Sequence, residues 1–261
     1  GDEVAGYKVC SAPSRTAFDL IGDVWVACRS DGGVMKITNK KVSCTDKNKD
    51  GKIDTAIDKN KNKKIEANEM MPYLKDECID FIVYPEGKGM WNTVPRAAGV
   101  DKNNFAWIGF YYSDKLVKLH PATGKKVDTI AYSKGSPYGI SVDTFGNVWM
   151  ADTNSHTSRY NPVTKKWAHV KHSMWSRGVA SSNTGHVYVA LDTASAIAKI
   201  NAKTLKLEKE ISIGNGKYPV GIAVDHDGFI WAINQGANSA TKVNPKTNTV
   251  VGEYPVGNGP Y

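Results

Sequence analysis

The chain has 261 residues, 41% of them hydrophobic, with a formal net charge of +8 at pH 7 and a pI of about 9.1. That apolar content suffices for a large core, and no apolar run approaches the ~20 residues a membrane-spanning helix needs. The lysines are scattered through turn-like stretches, without a basic helix or aromatic-basic interleaving, so nucleic acid is excluded as the expected partner and the charge reads as a solvated surface.

Residues 1–13 form a lead-in, in which Tyr7-Lys-Val-Cys10 reads as an edge strand. A first unit follows with strands at Thr16–Leu20, Val24–Cys28 and Val34–Thr38. It is then interrupted, and its fourth strand arrives only at Ile79–Tyr84. The cysteines are Cys10, Cys28, Cys44 and Cys78, with no Cys-x-x-Cys pair, which argues against a zinc ribbon. Their even number predicts two disulfides and an oxidising compartment, extracellular or periplasmic; four free thiols in a cytosolic protein is the alternative. Among the possible pairings we expect Cys10–Cys28 and Cys44–Cys78, because the second would clasp the base of the interruption. No signal peptide stands at the start of the sequence; export implies that Gly1 lies at or after a processing point.

The interruption, residues 45–77, carries an alternation of oxygen-bearing side chains. Asp46, Asn48 and Asp50 alternate, Gly51 follows, then Lys52, Ile53 and Asp54. Alternate oxygens bend inward around a hard cation, glycine permits the sharp turn, and Lys52 would offer its carbonyl. The register repeats with Asp58, Asn60, Asn62, the Lys64 carbonyl, Glu66 and Glu69, where Lys63 replaces the glycine. In the first copy Ile57 holds the last position, so Asp58 is expected to close the first loop one residue late and to open the second. The tandem resembles the calcium loops of EF-hands, dockerins and thrombospondin type 3 repeats. It implies one or two structural Ca²⁺ ions held within the insert.

Units two to five occupy roughly residues 92–133, 134–173, 174–214 and 215–257. Each has four short β-type runs separated by turn residues. An Asp-x-x-Gly-x-x-Trp core recurs as Asp19…Gly22…Trp25, Asp143…Gly146…Trp149 and Asp225…Gly228…Trp231. Weaker copies are Asp101…Asn104…Trp107 and Ser182…Gly185…Tyr188. From Trp107 onward these aromatics recur about every 40 residues. The third strand recurs in phase as Lys118-Leu-His-Pro, Arg159-Tyr-Asn-Pro, Lys199-Ile-Asn-Ala and Lys242-Val-Asn-Pro. The pattern predicts an all-β propeller of four-stranded blades with the five aromatics in equivalent buried places. The closing Gly257-Asn-Gly-Pro-Tyr261 is similar to Lys134-Gly-Ser-Pro-Tyr138. Either five blades close the ring or more blades follow, and the similarity favours continuation.

Pro137-Tyr-Gly-Ile-Ser-Val-Asp143 and Pro219-Val-Gly-Ile-Ala-Val-Asp225 resemble the repeat of virginiamycin B lyase and NHL-type propellers. In the lyase, catalytic histidines precede the repeat glycine and metal-binding glutamates follow the repeat aromatic. Here the matching positions hold Ser14, Arg96, Tyr138, Arg177 and Val220, and then Cys28, Phe110, Asp152, Leu191 and Asn234. None is His or Glu, so lyase chemistry is not expected. The resemblance instead implies that Arg96, Tyr138 and Arg177 converge at the mouth of the central channel, with Asp152 and Asn234 nearby. There they would hold a small anion or sugar acid, or fill the channel with mutual hydrogen bonds. The six histidines read as surface residues, and no Ser-His-Asp grouping or phosphate loop is present. Two functional readings stand: an exported, calcium-stabilised module for a protein partner or small polar ligand, and a propeller enzyme of the lyase or lactone-hydrolase type.

Overall fold

The computed structural model describes residues 3, 5–89 and 92–261. Alternating apolar runs pair by hairpin turns into five antiparallel sheets, each with its four strands in sequence order. Blade one holds β1 (Pro13–Phe18), β2 (Val24–Cys28), β3 (Gly33–Ile37) and β4 (Ile79–Val83). Blade two holds β5 (Pro95–Val100), β6 (Ala106–Phe110), β7 (Lys115–Leu119) and β8 (Lys126–Ala131). Blade three holds β9 (Pro137–Val142), β10 (Val148–Asp152), β11 (His156–Asn161) and β12 (Lys166–Lys171). Blade four holds β13 (Ser176–Ser181), β14 (His186–Leu191), β15 (Ala196–Asn201) and β16 (Lys206–Ser212). Blade five holds β17 (Pro219–Val224), β18 (Ile230–Asn234), β19 (Ser239–Asn244) and β20 (Thr249–Pro255). This is the propeller that the repeat predicted.

The inner strands β1, β5, β9, β13 and β17 stand beside one another in that order. Each blade presses its anchor aromatic onto the next. Trp25 packs with Ala98, Ala106 and Ile108, and Trp107 with Ile140, Val148 and Met150. Trp149 packs with Val187, Val189 and Leu191, and Tyr188 with Ile230, Ala232 and Val243. These four aromatics are at most 1% exposed. Trp231 departs from the expected equivalence and is only half-buried, with Tyr254 of its own blade 5.4 Å away. The reason is geometric: among the described residues, β17 and β1 lack the close packing that joins the other consecutive inner strands, and the Arg15 guanidinium reaches across, 3.2 Å from the Val220 carbonyl.

The turn before each anchor aromatic explains the repeat. In blade three the Asp143 carboxylate accepts from the Phe145 and Asn147 amides and from Trp149 Nε1 at 2.7 Å. Gly146 adopts a left-handed φ of 82°, and Asn104 serves that place in blade two at 69°.

Both expected disulfides are formed, Cys10–Cys28 and Cys44–Cys78. Tyr7-Lys-Val-Cys10 forms no strand; Tyr7, Val9 and Cys10 pack instead on blade one beside Val26, Met35 and Ile79. The insert departs between β3 and β4, and the only helix among the described residues is a 3-10 turn at Lys41–Ser43. None is long and apolar enough to cross a membrane.

Candidate functional site at the channel mouth

Each inner strand opens with a register break against its neighbour. The breaks fall between Pro13 and Thr16, Pro95 and Ala97, Ser176 and Val179, and Pro219 and Gly221; in blade three, Pro137 pairs Asp152 while Gly139 pairs Ala151. A bulge re-aims the extra side chain. The residues so turned are Ser14 and Arg15, Arg96, Tyr138, Arg177 and Val220. The glycine that follows lets the strands close in, since a Cβ at Gly139 would lie 2.6 Å from the Arg177 carbonyl. Arg15, Gly139, Gly178 and Gly221 line a central cavity of about 170 Å³.

Tyr138 is the centre of the cluster. The Arg96 guanidinium lies 4.2 Å from its ring centroid, that of Arg15 4.9 Å and that of Arg177 5.7 Å. Arg96 also donates to the Tyr138 hydroxyl at 2.7 Å and to the Tyr261 hydroxyl at 2.8 Å, and the two phenols bond each other. Arg15 stacks 4.7 Å from the Tyr261 ring. Three guanidiniums thus meet, of which Arg177 pairs with a carboxylate, Asp192 at 2.8 Å. Burial holds Arg15 below the ordinary guanidinium range. Burial also raises the Tyr138 phenol, but hydrogen bonds from Tyr261 and Arg96 and the arginine charges outweigh it, and the phenol lies below its usual value. Of the predicted site residues, Arg96, Tyr138 and Arg177 come together. Arg15 and Tyr261 were not foreseen, although Tyr261 ends a copy of the phrase that ends in Tyr138.

Asp152 and Asn234 have other partners. Both are fully buried at the ends of β10 and β18. Asp152 accepts from Tyr132 and from Ser158 Oγ at 2.7 Å, and Ser158 in turn meets His169 Nδ1 at 2.9 Å. Asn234 donates to Ser239 and Thr241 of its own blade at 3.0 and 2.7 Å. Their polar side chains hold blade interiors. The histidine reading also needs one correction: His172 is 3% exposed, bonded to Thr157 and to the Met174 carbonyl.

The insert folds as two copies of one loop. In the second, Glu69 Oε1 accepts the Lys59 and Asn60 amides and Oε2 the Glu66 amide. In the first, Glu77 Oε1 accepts the Lys47 and Asn48 amides and Oε2 the Asp54 amide. Glu77, not Asp58, therefore closes the first loop. Asp58 belongs to the second, accepting from the Asn62 and Lys63 amides, as Asp46 accepts from Lys49 and Gly51 in the first. Lys63 takes the left-handed φ of 69° where Gly51 has 84°, so the missing glycine does not prevent the turn. Asn48 pairs with Asp54, and Asn60 and Asn62 with Glu66. Asp50 Oδ1 accepts the Lys52 amide and Asn62 Oδ1 the Lys64 amide. The Glu69 and Glu77 carboxyls are 5% and 3% exposed, and backbone amides hold both below the usual carboxylate range. Among the described residues no three His, Cys, Asp or Glu side chains converge at metal-ligand spacing.

Three solved structures match this arrangement along its length. Selenomethionine-substituted virginiamycin B lyase from Staphylococcus aureus superposes with a TM-score of 0.67 at 13% identity, covering 95% of this chain and 71% of its own. The fold is a virginiamycin B lyase-type propeller. A catalytically inactive variant of that lyase with quinupristin gives 0.65 at 14% identity, covering 94% and 70%. A streptogramin B lyase structure gives 0.62 at 17%, covering 95% and 84%. No family model matches the sequence, and no curated protein does. Within this virginiamycin B lyase-type fold, the re-aimed positions of this chain carry Ser14 and Arg15, Arg96, Tyr138, Arg177 and Val220.

Proposed function

We propose that the chain is an exported, calcium-stabilised propeller that binds a small carboxylate-bearing ligand, of the sugar-acid class, at the channel mouth. The convergence of Arg15, Arg96 and Arg177 on Tyr138 carries this reading. Guanidiniums match a carboxylate bidentately, and the two phenols offer flat faces and hydroxyls to a sugar. The test is calorimetry with glucuronate, glucose and glucosamine. Glucuronate is expected to bind at least tenfold more tightly than either of the others; equal binding of all three, or none, overturns the reading. The enzyme reading draws on the likeness to the lyases. Incubation with quinupristin followed by liquid chromatography and tandem mass spectrometry, which separate the ring-opened isomer of equal mass, is expected to return it intact; a ring-opened product would favour the enzyme reading.

Two disulfides and the lack of a membrane-crossing helix among the described residues support export. All-oxygen donor sets support calcium. The first would be Asp46, Asn48, Asp50, the Lys52 carbonyl, Asp54 and Glu77; the second Asp58, Asn60, Asn62, the Lys64 carbonyl, Glu66 and Glu69. Glu77→Gln is expected to weaken the first site alone and Asp58→Ala the second alone, read by calcium calorimetry. Chelation should speed hydrogen exchange in residues 45–77 and leave the blades protected. Loss of both sites in Asp58→Ala, or melting of the whole protein on chelation, contradicts this arrangement.

A further inference from the structure

Blade four breaks the repeat at two places that touch. Its turn has Ser182 where the other blades have aspartate, and its anchor is Tyr188 where they have tryptophan. In blades one, two and five the carboxylate faces a third-strand lysine: Lys36 lies 3.3 Å from Asp19, Lys118 3.4 Å from Asp101 and Lys242 3.6 Å from Asp225; blade three has Arg159 there, which donates to the Ala202 carbonyl of blade four. In blade four the matching Lys199 has no such partner within its turn. It donates to the Pro245 carbonyl of blade five at 3.0 Å and lies 3.9 Å from Glu208.

Beside these two residues lies a cavity of about 420 Å³ between blades four and five. Ser182, His186, Tyr188, Lys199, His226 and Phe229 line it. That volume suits a small molecule. Three of these groups are cationic or can become so, and two are aromatic. Asp227 and Lys246 also line the cavity; Asp227 lies 3.2 Å from His226, and Glu208, beside the cavity, 3.1 Å from His186.

We infer that this cavity is a binding site for a small aromatic carboxylate. The ligand's carboxylate takes the place of the missing aspartate beside Lys199 and Ser182. Its ring lies in the cavity against Tyr188 and Phe229. The site is separate from the channel mouth, which lies at the inner strands.

Benzoate, benzyl alcohol and benzylamine serve as probes, followed by amide and imidazole NMR shifts. Benzoate is expected to shift His186, His226 and Lys199 saturably, and to bind about tenfold or more tightly than the uncharged alcohol or the amine. Ser182→Asp restores the repeat's own carboxylate and is expected to abolish this binding; Tyr188→Trp, which enlarges the ring at the cavity wall, is expected to weaken it. Both follow the pattern of the other blades, and their amide spectra report folding directly. Arg96→Gln leaves benzoate binding here unchanged. No shifts at tens of millimolar, or shifts that persist in both blade-four variants, overturn the assignment.

Discussion

Trp149→Ala is expected to lower the free energy of unfolding by about 3–5 kcal/mol, and Trp231→Ala by well under half as much. Trp149 is fully buried between blades three and four, and its ring contacts Val187, Val189 and Leu191 of the next blade. Removing it opens a cavity that the paired strands on either side cannot collapse around, and it leaves Asp143 without its indole donor. Trp231 keeps the same bond to Asp225, at 2.9 Å, but is only half-buried among the described residues. Denaturant unfolding of the two variants measures the difference. Equal losses would mean that Trp231 is covered as fully as its counterparts.

The second large effect is a pH dependence set by Asp152. Burial pushes its carboxyl up to about 7, and the hydrogen bonds from Tyr132 and Ser158 offset this only in part. The folded protein therefore holds the proton more tightly than the unfolded chain does. The stability this confers is full below about pH 4, the ordinary carboxylate value, and is lost as pH rises through about 7. The loss is on the order of 2–4 kcal/mol. Asp152→Asn keeps the shape without the charge, and blade five already has Asn234 at the matching place. The variant is expected to match the parent near pH 5, to exceed it near pH 8, and to show a flatter profile between. A variant less stable than the parent at pH 8, with the same slope, would show that Asp152 is not the group responsible.

The blades were legible because the Asp-x-x-Gly-x-x-Trp turn is a self-contained unit: the aspartate, the left-handed glycine and the indole bond one another within seven residues. The disulfides were legible because each joins points that the blade plan already brings together. Arg15 escaped notice because it follows Ser14 as Ala97, Gly139, Gly178 and Gly221 follow the re-aimed residues of the other blades, a place where the repeat offers no long side chain. Glu77 escaped because loop spacing looks for its closing carboxylate at a fixed distance. The first loop instead takes it from beyond the second, beside Cys78, which is tied to Cys44 at the start of the insert. Asp152 and Asn234 sit where the repeat put them, but only the folded blade shows that Tyr132, Ser158, Ser239 and Thr241 already hold their side chains. Trp231 shows the limit of repeat logic: equivalent residues share an environment only when their neighbours are equivalent too.

The central claim is that the arginine cluster at the channel mouth recognises a carboxylate. Calorimetry of glucuronate with the parent, Arg96→Gln and Arg177→Gln tests it most directly. Each glutamine keeps hydrogen-bonding capacity and removes one charge. Arg96→Gln is expected to weaken binding by about tenfold or more. Arg177→Gln is expected to weaken it less, because Asp192 already compensates that guanidinium. Affinity unchanged in both variants would contradict the account.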